Sequence, residues 1–276
     1  MRKVYDALTN AFRKHGGEIS AAHYEETVAR HTTLFEEPET IFLLLQASGY
    51  PIGQTKRGTY RLETYFTPYL KQCYCVVDIE TNGSKPGSSQ VIEIGAVKVC
   101  GGVIVDRFET FVECAFLPEY ITKITSIEPD DLVGAPTQKE ALARLREFLD
   151  DAVFVAHNAT FDFSFLDASF NRFGLGDIAN LRLCTIELAK RTFESERYGL
   201  AYLNEFLGIT AATHHRAYSD ALSALRVMEK SFETLPQHVK TTDDLLQFAV
   251  SSIKERKAKV PKEGENQLFG SLAPKI

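Results

Sequence analysis

The sequence predicts an α/β protein: a mixed β-sheet covered by helices on its faces, preceded by a small helical unit. Three observations predict it. The runs CYCVVDIE, QVIEIGAVKV and GVIVDRFETFVE are strand-like and separated by glycine-containing turns, which is the pattern of an antiparallel meander. Further on, TQKEALARLREFLDD is amphipathic at helical spacing and runs into AVFVA, a short buried-strand run. TFDFSFLDASFNRFG, LCTIELAKRTF, GLAYLNEFLG and AYSDALSALRVMEKSF then read as helices. Strands followed by alternating helix and strand describe a mixed sheet with helices on both faces.

Residues 1–70 read separately. VYDALTNAFRKHGG is a helix ending at Gly16, SAAHYEETVARH a second with Ser20 as its N-cap, and PETIFLLLQASG a third with Pro38 in its first turn. YPI and TYRLET flank the turn-like GQTKRG and predict a hairpin. Three helices and a hairpin resemble a winged-helix domain. Its recognition position holds the uncharged TIFLLLQ, poorly suited to reading a groove. Only Lys56 and Arg57 at the hairpin tip suit phosphate contacts, so packing or partner binding is the expected role. The chain therefore divides into residues 1–70, the α/β unit over 71–235, and a C-terminal helix (DDLLQFAVSSIKERK) and tail over 236–276.

Composition narrows the classes. The net charge of −6 is uneven: residues 71–235 carry 16 basic and 24 acidic side chains, while 1–70 balance at 8 and 8. A protein gripping duplex DNA along many phosphates is normally basic, so any nucleic-acid contact should be short or aided by bound cations. The start MRKVYDALTN lacks the apolar core of a secretory signal, and the longest strongly apolar run, IFLLL, is far shorter than the ~20 residues of a membrane helix. The five cysteines have no metal-site spacing and are expected as free thiols in a cytoplasmic protein.

The chemistry is carried by acids. Asp78 and Glu80 sit two apart in VVDIETNG, on the same side of a strand, where like charges raise each other's pKa. Asp162, in VAHNATFDFSFL, opens a helix on the apolar stripe of Leu166 and Phe173. Asp220, in HHRAYSDALSAL, opens another among Ala217, Ala221 and Ala224, with His215 five residues before it. Singly, Asp162 and Asp220 each read as a first-turn residue favoured by the helix dipole. Together they are four acids and a base on elements expected to meet at one sheet edge.

Three motifs carry a resemblance: D-I-E-T at 78–81, A-H-N-A-x-F-D at 156–162 and H-R-A-x-x-D at 215–220, supported by VIEIGAV, ITKITSIEPDDLVGAP and CTIELAKR. This pattern resembles the DEDDh superfamily of 3′-to-5′ exonucleases, and within it the epsilon proofreading subunits of bacterial DNA polymerase III. The resemblance covers roughly residues 73–233 and implies an RNase H-like fold and two-metal hydrolysis of phosphodiesters. Two Mg²⁺ or Mn²⁺ ions about 3.5–4 Å apart would stabilise the attacking and leaving oxygens. By the resemblance, Asp78 would bridge both ions, Glu80 and Asp220 would complete one, and Asp162 would hold the other. His215 would be the general base that deprotonates the attacking water. Thr81 would face the terminal nucleotide, and His157 and Asn158 would contact substrate or support the Asp162 turn. The implied substrate is a single-stranded or frayed 3′ end of DNA, in proofreading or repair. The alternatives are trimming of RNA 3′ ends and an inactive nucleic-acid-binding scaffold. QLFGSL at 267–272 loosely resembles sliding-clamp-binding peptides, so a replicative polymerase or clamp is a candidate partner; a membrane is not.

Overall fold

The computed structural model describes residues 1–32, 37–209 and 216–251. His215, the QLFGSL stretch and the end of the anticipated C-terminal helix lie outside the described residues.

The N-terminal unit runs α1 (Arg2–Lys14), β1 (Glu18–Ile19), α2 (Ala21–Ala29), α3 (Pro38–Ala47), β2 (Ile52–Gln54), β3 (Tyr60–Leu62) and a single turn α4 (Glu63–Phe66). The Ser20 hydroxyl accepts the His23 amide and starts α2. The strands pair antiparallel in the order β1-β3-β2 around a core that includes Leu8, Phe12, Tyr24, Ile41, Leu45 and Leu62. Helix α3 turns Ile41 and Leu45 inward and leaves Leu43 and Leu44 exposed.

The larger part is built on β4 (Cys73–Thr81), β5 (Val91–Cys100), β6 (Val103–Phe111), β7 (Val153–Ala156) and β8 (Arg182–Cys184), in the order β6-β5-β4-β7-β8. The β4–β5–β6 meander is antiparallel, and β7 and β8 continue it in parallel. The helices are α5 (Glu119–Thr125), α6 (Gln138–Leu149), α7 (Ala159–Arg172), α8 (Thr185–Thr192), α9 (Leu200–Leu207), α10 (Ala217–Phe232) and α11 (Thr242–Val250). Thr137 and Glu140 close a reciprocal capping box at the start of α6. Among the described residues, no helix is long and apolar enough to cross a membrane.

Strand alternation distributes the two cores. Cys75, Val77 and Ile79 of β4 pack with Leu142, Leu145, Phe165 and Leu166 of α6 and α7. Tyr74 and Val76 face the other way, with Leu225 and Met228 of α10 and Leu245 of α11. Each fully buried Leu or Val contributes roughly 1.5–3 kcal/mol. By the same parity, Asp78 and Glu80 are directed to the α10 side. Strand β8 was not anticipated: three residues are too few for a period to show.

The expectation of five free thiols is corrected. Cys73 and Cys100 form a disulfide, while Cys75, Cys114 and Cys184 are free. The two bonded residues are direct cross-strand partners in the β4–β5 hairpin, with Cα atoms 4.1 Å apart. That proximity comes from register, which cysteine spacing does not reveal.

The N-terminal unit packs against the end of the sheet where β7 and β8 begin. Arg146 of α6 donates to the carbonyls of Ser48, Leu175 and Asp177, and the Ala179 amide donates to Ser48. Arg13 of α1 makes a bidentate bond to Asp243 of α11, its shortest leg 2.7 Å, and Asp243 is fully buried. Arg13→Ala leaves that buried carboxylate uncompensated and should lower the stability of the whole chain by about 3 kcal/mol. Urea unfolding followed by circular dichroism measures this; an unchanged midpoint would contradict the clamp.

Candidate active site

Strand β4 carries the first two acids to its C-terminal end. Asp78 lies opposite Gly95 of β5 and Glu80 opposite Glu93, and the register shifts between Glu80 and Thr81 as the strand leaves the sheet. On its other side, β7 pairs with β4 only along Tyr74–Val76. Past Val76 the edge of β4 is open to the first turn of α7, which supplies Asp162. Asp162 is 3% exposed, and the backbone amides of its own residue and of Ile79 favour its charged form against the cost of burial.

The turn from β7 into α7 is fixed by His157 and Asn158. Asn158 is the helix N-cap in the left-handed region (φ 69°), without a side-chain cap bond, and is exposed. His157 Nδ1 lies 2.8 Å from the Thr185 hydroxyl and Nε2 lies 2.9 Å from the Tyr198 carbonyl. A carbonyl only accepts, so Nε2 carries the hydrogen and Nδ1 accepts from Thr185. Burial pushes the imidazole down to about 4, so it is a neutral brace between this turn, α8 and the segment before α9.

Helix α10 brings Asp220. It can do so because Gly95 has no side chain: a Cβ there would run into the backbone of Ala217 and Tyr218. The helix start lies directly on β5, and one carboxylate oxygen from each of Asp78, Glu80 and Asp220 falls within 4.8 Å of the others. Asp162 stands outside this set of three. Its charge nevertheless acts on both Asp78 and Glu80.

The cluster costs electrostatic energy. Burial, reinforced by Asp162, Glu80 and Asp220, drives Asp78 well above the carboxylate range. Burial and the neighbouring acids, Glu93 first, push Glu80 up to about 8, and burial pushes Asp162 up to about 7. An all-oxygen donor set of three converging carboxylates fits a hard divalent cation such as Mg²⁺ or Mn²⁺.

Sequence reading missed Glu93. It is 1% exposed; one carboxylate oxygen accepts from Arg216 at 3.0 and 3.1 Å, and the other accepts the Ala217 amide at 3.1 Å. Glu93 thus caps the first turn of α10 from the neighbouring strand, a role for a carboxylate favoured by the helix dipole. The only sequence signal was an acid inside the apolar run VIEIGAV. The Arg216 guanidinium also lies over the Phe111 ring. Thr81 is buried, and its hydroxyl donates to the Gly83 carbonyl, shaping the turn after the acids.

Two outcomes follow. Gly95→Ala must push α10 off β5, costing about 1–3 kcal/mol as overpacking does, and should remove Mn²⁺ binding in calorimetry while circular dichroism still reports the fold. Second, an acid whose folded pKa lies above its unfolded value binds more protons in the native state, so its contribution to stability falls as pH rises between the two. For Glu80 that window runs from about 4.5 to about 8. The metal-free protein should lose melting temperature across it, Glu80→Gln should flatten the slope, and Mn²⁺ should restore the loss at pH 8. A variant slope equal to that of the wild type would refute this.

The chain is similar to "DNA polymerase III PolC-type" of Staphylococcus haemolyticus and of Staphylococcus aureus, each 38% identical over 167 residues. The match takes in 59% of this chain but only 12% of either relative. Among solved structures it is similar to E. coli Exonuclease I in complex with a dT13 oligonucleotide (TM-score 0.53, 18% identity, 59% of this chain and 41% of that one). The zinc-bound Exonuclease I–ssDNA complex gives a TM-score of 0.54 at 17% identity, over 61% of this chain and 42% of that one. At such identity the likeness is one of fold, the RNase H-like sheet described above. Residues 75–228, more than half of the chain, match the RNase_T family, described as Exonuclease, and the chain belongs to that family.

Proposed function

We propose that the chain is a divalent-cation-dependent 3′-to-5′ exonuclease acting on a single-stranded or frayed 3′ end of DNA, in proofreading or repair. The observation that carries the reading is the convergence of Asp78, Glu80 and Asp220, with Asp162 set beside them, in a family of exonucleases. DNA is preferred over RNA because the relatives are DNA polymerases and the Exonuclease I structures hold DNA oligonucleotides. A replicative polymerase is the partner this likeness suggests, with the division at 1–70, 71–235 and 236–276 and a cytoplasmic setting as in the sequence reading.

In this mechanism Asp78, Glu80 and Asp220 would hold a divalent cation, and Asp162 beside them would help to hold a second. When bound, the ions neutralise charge on the scissile phosphate and on the attacking and leaving oxygens. Of the chain's own groups, His215 takes the proton of the attacking water, and Thr81 and Asn158 border the terminal nucleotide. His157 holds the Asp162 turn through Thr185 and Tyr198.

The test uses single-stranded DNA and RNA oligomers labelled at either end, with Mn²⁺ or EDTA. Stepwise loss of 3′ nucleotides from DNA, abolished by EDTA and by Asp78→Ala or Asp162→Ala with the fold intact, is expected. Cleavage from the 5′ end, or wild-type rate in either variant, would overturn the reading; faster RNA cleavage would move the substrate to RNA.

A further inference from the structure

We infer that Phe116 and Tyr120 form an aromatic shelf on which the bases of single-stranded nucleic acid stack as the 3′ end enters the carboxylate site; this rests on the exonuclease reading. Both rings are unusually open, Phe116 70% and Tyr120 56% exposed. Ile124 and Val133 extend the apolar surface along the same segment. Four large apolar side chains left open within eighteen residues beside the acids, Phe116 to Val133, suit a contact surface.

The shelf is fastened to the strand that carries the acids. Asn82, two residues past Glu80, donates through Nδ2 to the Phe116 carbonyl (3.1 Å) and to Cys114 Sγ, while its Oδ1 accepts the Gln90 amide at 2.8 Å. Gln90 in turn donates to the Glu113 carbonyl at 2.7 Å. Beneath, Ile121, Ile127 and Leu132 bury against Ile92 of β5. The Tyr120 hydroxyl lies 4.0 Å from where a Cβ on Gly83 would stand, so the ring leans over the turn that leaves β4. The backbone that carries the rings is therefore fastened to the end of β4, beside the acids.

Charge explains why stacking is needed. The catalytic half is acidic, Lys123 on α5 is paired with Glu119, and Arg216 is bound to Glu93. Phosphate contacts alone would grip a strand poorly here, whereas every base offers a π-face whatever its identity.

The test compares the full chain with Phe116→Ala/Tyr120→Ala and with Phe116→Tyr/Tyr120→Phe, which keeps both rings. Substrates are a dT oligomer, the same oligomer abasic at the three nucleotides before the terminal one, and thymidine 5′-p-nitrophenyl phosphate, which has no neighbouring base. Ring removal should raise KM for the intact oligomer roughly 10- to 100-fold, leave kcat and the nitrophenyl ester unchanged, and be rescued in the ring-keeping variant. The abasic oligomer should weaken the wild type similarly yet add little in the alanine variant, since both changes delete one contact. Fluorescence anisotropy of the intact and abasic oligomers in EDTA repeats the comparison without hydrolysis. An unchanged KM and Kd in the alanine variant, or multiplicative effects of ring and base removal, would overturn the shelf. Failure of the wild type to cleave any substrate would sink the exonuclease reading, leaving the anisotropy comparison to decide the shelf alone.

Discussion

Helix α10 rests on β5 at a separation that only Gly95 permits, and the character of the site follows from that contact. The approach carries Asp220 to the two acids of β4 and removes much of their water. It also brings the first amide of α10 within reach of Glu93. Desolvation and the neighbouring acids then raise the pKa values of Asp78 and Glu80, and burial raises that of Asp162, an arrangement that an apolar core would not tolerate without compensation. Arg216 answers the charge of a further acid beside them, Glu93, by pairing with it. The remainder favour a hard cation. A divalent cation bound there, as proposed, would relieve that cost.

The same logic explains how an acidic domain can face a polyanion. On the proposed exonuclease reading, attraction at a distance is weak or repulsive, so recognition would be made at contact range, by ions held at the acids and by bases lying on apolar surface. The α5 segment supplies that surface and is tied by side-chain amides to the turn after β4. The parts that meet the nucleic acid are therefore mechanically continuous with the parts that cleave it.

Much of this was legible in the residues. Alternation in VVDIET placed Asp78 and Glu80 on one face, and the alanines around Asp220 signalled a helix pressed against the sheet. What escaped notice shares one physical cause: it depends on register or on partners distant in the chain. Glu93 reads as an ordinary polar position until β5 is aligned with β4 and Arg216 arrives 123 residues later. The Cys73–Cys100 bond follows from the hairpin register, and β8 is a strand only because β7 offers it a parallel edge. His157 could be read as a substrate contact or a support; its two hydrogen bonds describe a support.

The attachment of the N-terminal unit has a geometric corollary. It docks where β7 and β8 start, whereas the acids sit where β4 ends. The nine residues of β4 measure about 30 Å at the usual rise per residue. A molecule gripped by that unit would be held a full strand-length behind the reaction centre. Whatever that unit were to bind would sit behind the site and leave its mouth uncovered.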